Sequence, residues 1–458
     1  MAGVGWRLER MLERGTLSST LQAYLTGVAV TSAPWLLTTT VLVTLRMLSR
    51  QEASGGLGRI ELQIMIAYAV TLVLSAPVHV VISRYVADRL YQDRLDLVAE
   101  PLRQSLSVSM VAFLGIGAVA MLINGGSIMT MVLGTLLTAI VAGQWLLLGV
   151  GGGMSAPVGV LRAFAIGAVV SVLAAVAFER AAKLGALGYM FGFTFGQAIA
   201  LLLMLVRILG DLPAQEGKAP AGAISGAFRE YRLLALSAFF VHAAVWIDKL
   251  CTWLVVGPRA ASLLASASSL AWFAVIPTFA WMYVRIETTF YRVFRSYFSG
   301  IDAGASLDEL EASAHNIRRE AGRLMRGAAM LQLIVLALGE LAAPYLVAAL
   351  ELPPEQSLAV RLALIGASLQ VLTLLGTLLL YYLDLRRDAC IVAVTQLLAV
   401  AIATLFATAF GAPGALGAAI GSVLPALLAL WTVRRVVSSL VPDTFQSQPF
   451  GGLGERGE

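Results

Sequence analysis

The sequence predicts an all-α polytopic membrane protein of about twelve transmembrane helices in two six-helix lobes, and three observations predict it. Of 458 residues, 59% are hydrophobic and 13% charged, with mean hydropathy +0.84, against roughly 25% charged in a soluble protein. Twelve stretches are mainly apolar over about the 20 residues that a helix needs to cross a bilayer. Two long basic loops, Arg84 to Arg103 and Arg285 to Arg326, recur six stretches apart, each after a stretch whose proline (Pro77, Pro277) lies seven or eight residues before an arginine. Such a recurrence reads as two parallel repeats, a plan common in transporters, with the pathway between the halves.

Residues 1–20 come first. MAGVGWRLERMLERG lacks the apolar centre and small-residue cleavage site of a signal peptide and is expected to stay in the mature chain. Val4, Leu8, Met11 and Leu12 fall at helical spacing, with Arg7, Glu9, Arg10, Glu13 and Arg14 around them, which predicts a short helix lying on the membrane surface. The spans begin near Leu21, Ile60, Ser105, Ser127, Pro157 and Gly185 in a first lobe over 21–208, and near Arg232, Ala261, Gly327, Ser357, Ala389 and Gly414 in a second over 232–440. GDLPAQEGKAPAGAISG makes 209–231 a cytoplasmic linker, and 441–458 is a cytoplasmic tail. With the N-terminus inside, cytoplasmic segments hold 24 Lys and Arg and outer loops 7, so both termini are placed in the cytoplasm.

The loop after the eighth span carries one more element. Ser306 and Glu309 make a capping box, and Leu307, Leu310, Ala314, Ile317, Ala321 and Leu324 repeat at three-and-four spacing, predicting an amphipathic cytoplasmic helix over 306–326. Its acids crowd the N-terminal turn and Arg318, Arg319, Arg323 and Arg326 the C-terminal end, as the helix dipole favours. Such a helix either lies on anionic headgroups or docks a cytoplasmic partner, through Arg318, Arg319 and Arg323.

The seventh span contains WIDKLCTW, where a carboxylate and an ammonium stand in an otherwise apolar run. Each costs about 3 kcal/mol at a helix centre on insertion scales, so such groups face an aqueous cavity or a partner. His242, Trp246, Lys249 and Trp253 fall on one helix face. Asp248 points about 100° away from Lys249, so each is expected to find its partner on another helix. The partners available are Glu287, Glu340, Arg162, Arg361, Asp384 and His79. An ion-pair network pinning two helices is the structural alternative to a pathway lining. His242 could also relay protons.

Trp35, Trp145 and Trp431 fit interfacial anchors. Trp246, Trp253, Trp272 and Trp281, with Tyr283 and Phe290, could instead stack on sugar rings. GVGGGMSAP has no Gly-Lys-Ser/Thr after it and is a turn between spans rather than a phosphate loop. No catalytic motif, metal spacing or ATP site is present, and Cys251 and Cys390 are the only cysteines, so neither enzymatic activity, nor a cofactor, nor a nucleic-acid partner is expected.

Several stretches together resemble one family, the PelG proteins, inner-membrane transporters of the Pel exopolysaccharide within the multidrug/oligosaccharidyl-lipid/polysaccharide exporter (MOP) superfamily. They are MAGVGWRLERML, SAPW, SRYVADRLY, WIDKLCTW, IPTFAWMYVRIETTFYRVFRSYF and YYLDLRRDA, spread over some 390 of the 458 residues. The resemblance implies twelve to fourteen helices in two lobes around a central cavity that opens alternately to either side. It implies export of a growing amino-sugar polymer across the inner membrane to the periplasm. Its implied partners are a cytoplasmic glycosyltransferase and membrane subunits of the PelD, PelE and PelF types, among them one that binds a cyclic dinucleotide. Asp248 and Lys249 match the WIDK motif, and Arg285, Glu287, Phe290 and Tyr291 the R-x-E-T-x-F-Y run. Trp6 stands where Phe is expected, and CTW where a more apolar aromatic triplet is. The expected pathway thus comprises His242, Trp246, Asp248, Lys249, Trp253, Arg285, Glu287 and Glu340.

Three other functions share these features. A lipid-linked oligosaccharide flippase would need convergent arginines in the first lobe, which offers only Arg162. A cation-coupled drug antiporter would need a mid-depth acid there, and none is present. A membrane scaffold for a polysaccharide synthase predicts that the seventh-span charges pair off without a cavity.

Overall fold

A computed structural model of the chain describes residues 5–49, 57–153, 157–180, 183–213, 217, 219–220, 222–350, 353–354 and 356–446. The tail beyond 446, the turn at 154–156 and part of the 209–231 linker lie outside them. Every regular element among the described residues is helical: α1 (Gly5–Glu13), α2 (Leu17–Ser49), α3 (Leu57–Tyr91), α4 (Ala99–Asn124), α5 (Ile128–Gly153), α6 (Pro157–Arg180), α7 (Ala186–Gly210), α8 (Ala223–Glu230), α9 (Arg232–Val255), α10 (Pro258–Phe273), α11 (Ile276–Arg285), α12 (Tyr291–Asp302), α13 (Leu307–Ala349), α14 (Gln356–Tyr382), α15 (Arg386–Ala409), α16 (Gly414–Gly421), α17 (Val423–Ser438) and α18 (Leu440–Gln446). All twelve predicted spans hold a helix or a helix pair. Among the described residues ten are long and apolar enough alone to cross a bilayer, and α10 with α11–α12 makes an eleventh bent by 45°; the 33-residue α2 occupies the first predicted span, with Trp35–Leu45 as a shorter apolar stretch.

Packing divides the chain into two units. Leu25–Leu250 belong to the first, and Leu8–Tyr24 with the chain from Cys251 onward to the second, so α9 contributes to both. Lipid is as apolar as leucine, so helices associate in it through close approach and hydrogen bonds rather than through burial of apolar area. The first unit shows both devices. Gly192 and Gly196 of α7 lie flush on α6, where a Cβ would come 2.1 Å from Ala175 N and 2.4 Å from Gly167 O. Gln144 of α5 donates from Nε2 to Gln197 O and Oε1 of α7 at 2.9 and 3.0 Å, and Trp145 Nε1 donates to Thr71 Oγ1 of α3 at 3.3 Å. Ile64, Leu137, Val141, Met190 and Phe193 fill the space between.

In the second unit the same devices recur in the same order of spans. Gly417 and Gly421 of α16 lie on α15, where a Cβ would come 2.4 Å from Thr404 Cα and 2.6 Å from Ala399 O. Gln370 of α14 approaches Ser422 Oγ at 3.5 Å. Residues 192, 196 and 197 thus answer to 417, 421 and 422 at one constant offset. GFTFGQ and GAAIGS are the same joint built twice, which bears directly on the parallel-repeat reading. A second polar chain runs from Thr278 Oγ1 to Gln332 Oε1 at 2.6 Å and from Gln332 Nε2 to Ser368 Oγ at 2.9 Å.

Helix α13 departs from the simplest reading of the sequence. The amphipathic segment and the ninth span form one helix of 43 residues, about 65 Å long against a hydrocarbon core of about 30 Å. Past Gly327 its exposed stripe is apolar, with Met330, Leu333, Ile334, Leu338, Leu341 and Tyr345. Before Gly327 the exposed face is charged and the apolar face, Leu310, Ala314, Ile317, Ala321 and Leu324, is buried in protein. The apolar face that would have to lie on headgroups is covered by protein, which counts against the surface-lying alternative. The segment packs on α12 as a helical hairpin. Two motifs shape its tip: Gly304 at φ +73 closes α12, with Ala305 N donating to Gly300 O at 2.9 Å, and the capping box opens α13, with Ser306 N donating to Glu309 Oε2 at 2.9 Å. These contacts hold the Glu309 carboxyl below its ordinary range. Tyr297 of α12 is fully buried and reaches Thr444 of α18 at 3.3 Å, and Arg292 pairs with Glu9 of α1.

Candidate functional site

Helix α9 buries Val241, Ala244, Asp248, Cys251 and Thr252 on one face. Asp248 is only 2% exposed, and one of its partners is its own neighbour: Lys249 Nζ lies 3.0 Å from Asp248 Oδ1 and donates to Val245 O at 2.9 Å. Lys249 thus departs from the expectation that each would look to another helix. That expectation followed the Cα–Cβ directions, 100° apart, whereas four methylenes let the lysine fold back over its own turn. The ammonium ends 5.9 Å above the Trp246 ring, a cation–π contact. Because this ion pair lies within one helix, it does not itself pin two helices together.

The predicted stripe does not keep one environment along its length. His242, Trp246 and Lys249 are partly buried, while Trp253 is 45% exposed. Near the other end, the His242 ring meets the His79 ring of α3 edge-on, with centroids 5.9 Å apart. Two other groups proposed as partners for the charges are engaged elsewhere. Glu340 pairs with Arg361 at 2.8 Å, and Asp384 with Arg386 at 2.8 Å.

In the second unit, α11 passes into α12 through one turn of π-helix, Ile286–Phe290, a widening that often marks a functional position. It carries Glu287 into the interior, where Tyr382 of α14 donates to Oε1 at 2.9 Å, and Tyr382 stands edge-on to Phe290 and Phe294. Arg285 turns the other way and binds Glu320 of α13 at 2.9 Å. Glu320 also takes Arg323 at 3.3 Å. Thus Arg285 and Glu287 are neighbours in sequence with separate partners. Glu340 lies about 30 Å further along α13 than Glu320 and joins neither. Trp272 stacks on Phe279, and Trp281 packs on Gly327 beneath the Arg285 guanidinium.

Of the three arginines expected to dock a partner, Arg318 and Arg319 are exposed, Arg319 leaning on Asn316 Oδ1 at 3.3 Å. Arg323 is exposed as well, but it is also tied to Glu320. Sequence reasoning passed over Glu320, which reads as one more charge on a charged helix. It also passed over the glutamine bonds and the paired glycines, although the repeated G-x-x-x-G-[Q/S] was there to be found.

The fold is that of a known class of transporters. The chain superposes on the crystal structure of MATE in complex with MaL6 with TM-score 0.67 at 11% identity, covering 92% of this chain and 97% of that one. An outward-facing multidrug resistance MATE family transporter of the MOP superfamily gives TM-score 0.68 at 12% identity, over 93% and 97%. An inward-facing one gives 0.61 at 13%, over 92% and 95%. At these identities the likeness speaks for the fold alone, the one these MATE transporters share. The family is given by sequence: the PelG model, exopolysaccharide exporter (EPS-E), matches residues 1–445, and the chain belongs to that family. No curated protein matches it.

Proposed function

We propose that this membrane exporter moves a growing, Pel-like amino-sugar exopolysaccharide across the bacterial inner membrane, from a cytoplasmic glycosyltransferase to the periplasm, with both termini cytoplasmic. The route runs past His242, Trp246, Asp248, Lys249 and Trp253, and Arg285, Glu287 and Glu340 belong to it in the second lobe. Membership of the exporter family carries the reading. The buried Asp248–Lys249 pair supports its location: charged groups are costly in a segment that must cross lipid, and where they occur they mark a functional position by default. The hairpin, through Arg318, Arg319 and Arg323, recruits the glycosyltransferase and subunits of the PelD, PelE and PelF types.

The test is export by Lys249→Met. Polymer secretion should be lost while the protein remains folded and inserted, and normal secretion would overturn the assignment. Since this change leaves Asp248 buried without its cation, the double variant Asp248→Asn/Lys249→Met restores neutrality. It should fold as the wild type does and still fail to export. For the hairpin, Arg318→Glu/Arg319→Glu should reduce copurification of the glycosyltransferase; undiminished copurification would count against the docking role.

A further inference from the structure

The imidazole pair of the first unit has no part in the reading above beyond the presence of His242. His79 comes from α3 and His242 from α9, with ring planes at 90°. His242 Nδ1 lies 2.7 Å from Ala238 O. A carbonyl only accepts, so Nδ1 carries the hydrogen and Nε2 is the atom left to take up a proton. His79 Nδ1 is buried without a hydrogen-bond partner. A third helix closes the site: a Cβ on Gly149 of α5 would come 2.3 Å from Ser83 Oγ and 3.3 Å from the His79 ring. One turn along α9, Trp246 Nε1 is buried without a hydrogen-bond partner.

The groups facing the pair are few. Helix α3 offers Ser75 and Ser83, α5 its Gly149 backbone, and α9 the Ala238 carbonyl and Trp246. The nearest charges on α9, Asp248 and Lys249, are bound to one another, as are Arg84 and Asp88 at the end of α3, 3.3 Å apart. We propose that His79 and His242 form a proton-binding site inside the first unit that takes up one proton and not two. The edge-to-face arrangement suits a single imidazolium resting against its neighbour's ring. A second charge about 6 Å away would meet repulsion worth roughly a hundredfold in proton affinity, with no carboxylate placed to offset it. The site is independent of the cargo, so it stands whatever the exported polymer proves to be.

Tryptophan emission of the full-length protein in detergent, followed over about pH 3 to 8, a range that extends below that of a free imidazole because burial disfavours the charged ring, tests this. Subtracting the curve of Trp246→Phe isolates Trp246 from the eight tryptophans. The difference should fall on acidification along a one-proton curve, because an imidazolium one turn away quenches the indole. His79→Gln and His242→Gln should each move its midpoint, and the double variant should flatten it. A wild-type difference with no transition, an unchanged transition in the double variant, a two-proton slope in the wild type, or single variants that keep the wild-type midpoint would each overturn the proposal. Should the double variant fail to elute as a single species, the two single variants decide.

Discussion

Helix α3 carries Pro77 within one continuous helix of 35 residues, whereas α10 and α11 part at Ala274 and Val275, bent by 45°, with Pro277 in the first turn of the second helix. Both prolines belong to spans that the parallel-repeat reading makes equivalent. A proline inside a helix removes a hydrogen bond and crowds the carbonyl four residues back; in a first turn it costs nothing of the kind. At the break, Ala274 N donates to Ala271 O and Val275 N to Trp272 O, both at 3.1 Å, so a tighter turn satisfies the amides that the bend releases. The inner ends of these spans diverge as well. Asp88 of α3 keeps Arg84, 3.3 Å away, and takes the Tyr231 hydroxyl, at a partly exposed site. Burial, then this bond, pushes Tyr231 above its ordinary value. In the second unit Glu287 has a tyrosine, while the nearby arginine serves Glu320. One repeat keeps its charges local, and the other spends its arginine on anchoring a hairpin that the first lacks.

The comparison can be broken at three points. If the glycine joints are the same device, Gly196→Leu and Gly421→Leu should both abolish a monodisperse detergent-solubilised species. The added side chain meets backbone at 2.4 and 2.6 Å, and overpacking of this kind costs about 3 kcal/mol or more. Survival of one variant would show that the repeats do not share this joint. A smaller effect is expected at the inner ends. Glu320→Gln strands Arg285 beside a neutral group at a carboxylate only 7% exposed and should cost about 2–4 kcal/mol. Asp88→Asn, at a half-open pair, should cost about 1 kcal/mol or less. Thermal unfolding in detergent gives the order, and a reversed order would place the anchoring in the wrong repeat. Smallest is the proline contrast. Pro77→Ala should raise the unfolding temperature by the equivalent of about 1 kcal/mol, and Pro277→Ala should leave it within about 0.5 kcal/mol. Equal responses would mean that the break at Ala274 does not depend on where the proline sits.

Most of the fold was legible because a run of lipid length with almost no charge has few structural solutions. The hairpin helix was legible too, through its capping box and the spacing of Leu310, Ala314 and Ile317. What escaped was non-local or depended on side-chain reach. Glu320 is buried only because Arg285 arrives from another helix 35 residues away. The Asp248–Lys249 contact needs a lysine to double back, which a projection of Cβ directions cannot represent. Continuity of α13 through Gly327 was open to reading, since no proline or turn residue interrupts it there, but the change from charged to apolar surface looked like a boundary between elements. His79 and His242 stand 163 positions apart, and only the fold of the first unit brings their rings together.

The uninterrupted course of α13 also has a mechanical meaning. A stiff rod fixed at one end in the bilayer, with about 30 Å standing clear of it, carries every degree of tilt of its buried half to the tip as about 0.5 Å of sideways travel. Its apolar seam with α12 makes the two helices swing as one lever. Arg318 and Arg319 sit about 13 Å from Gly327 along this arm, so a force applied there acts on the ninth span without any signal having to pass through loops.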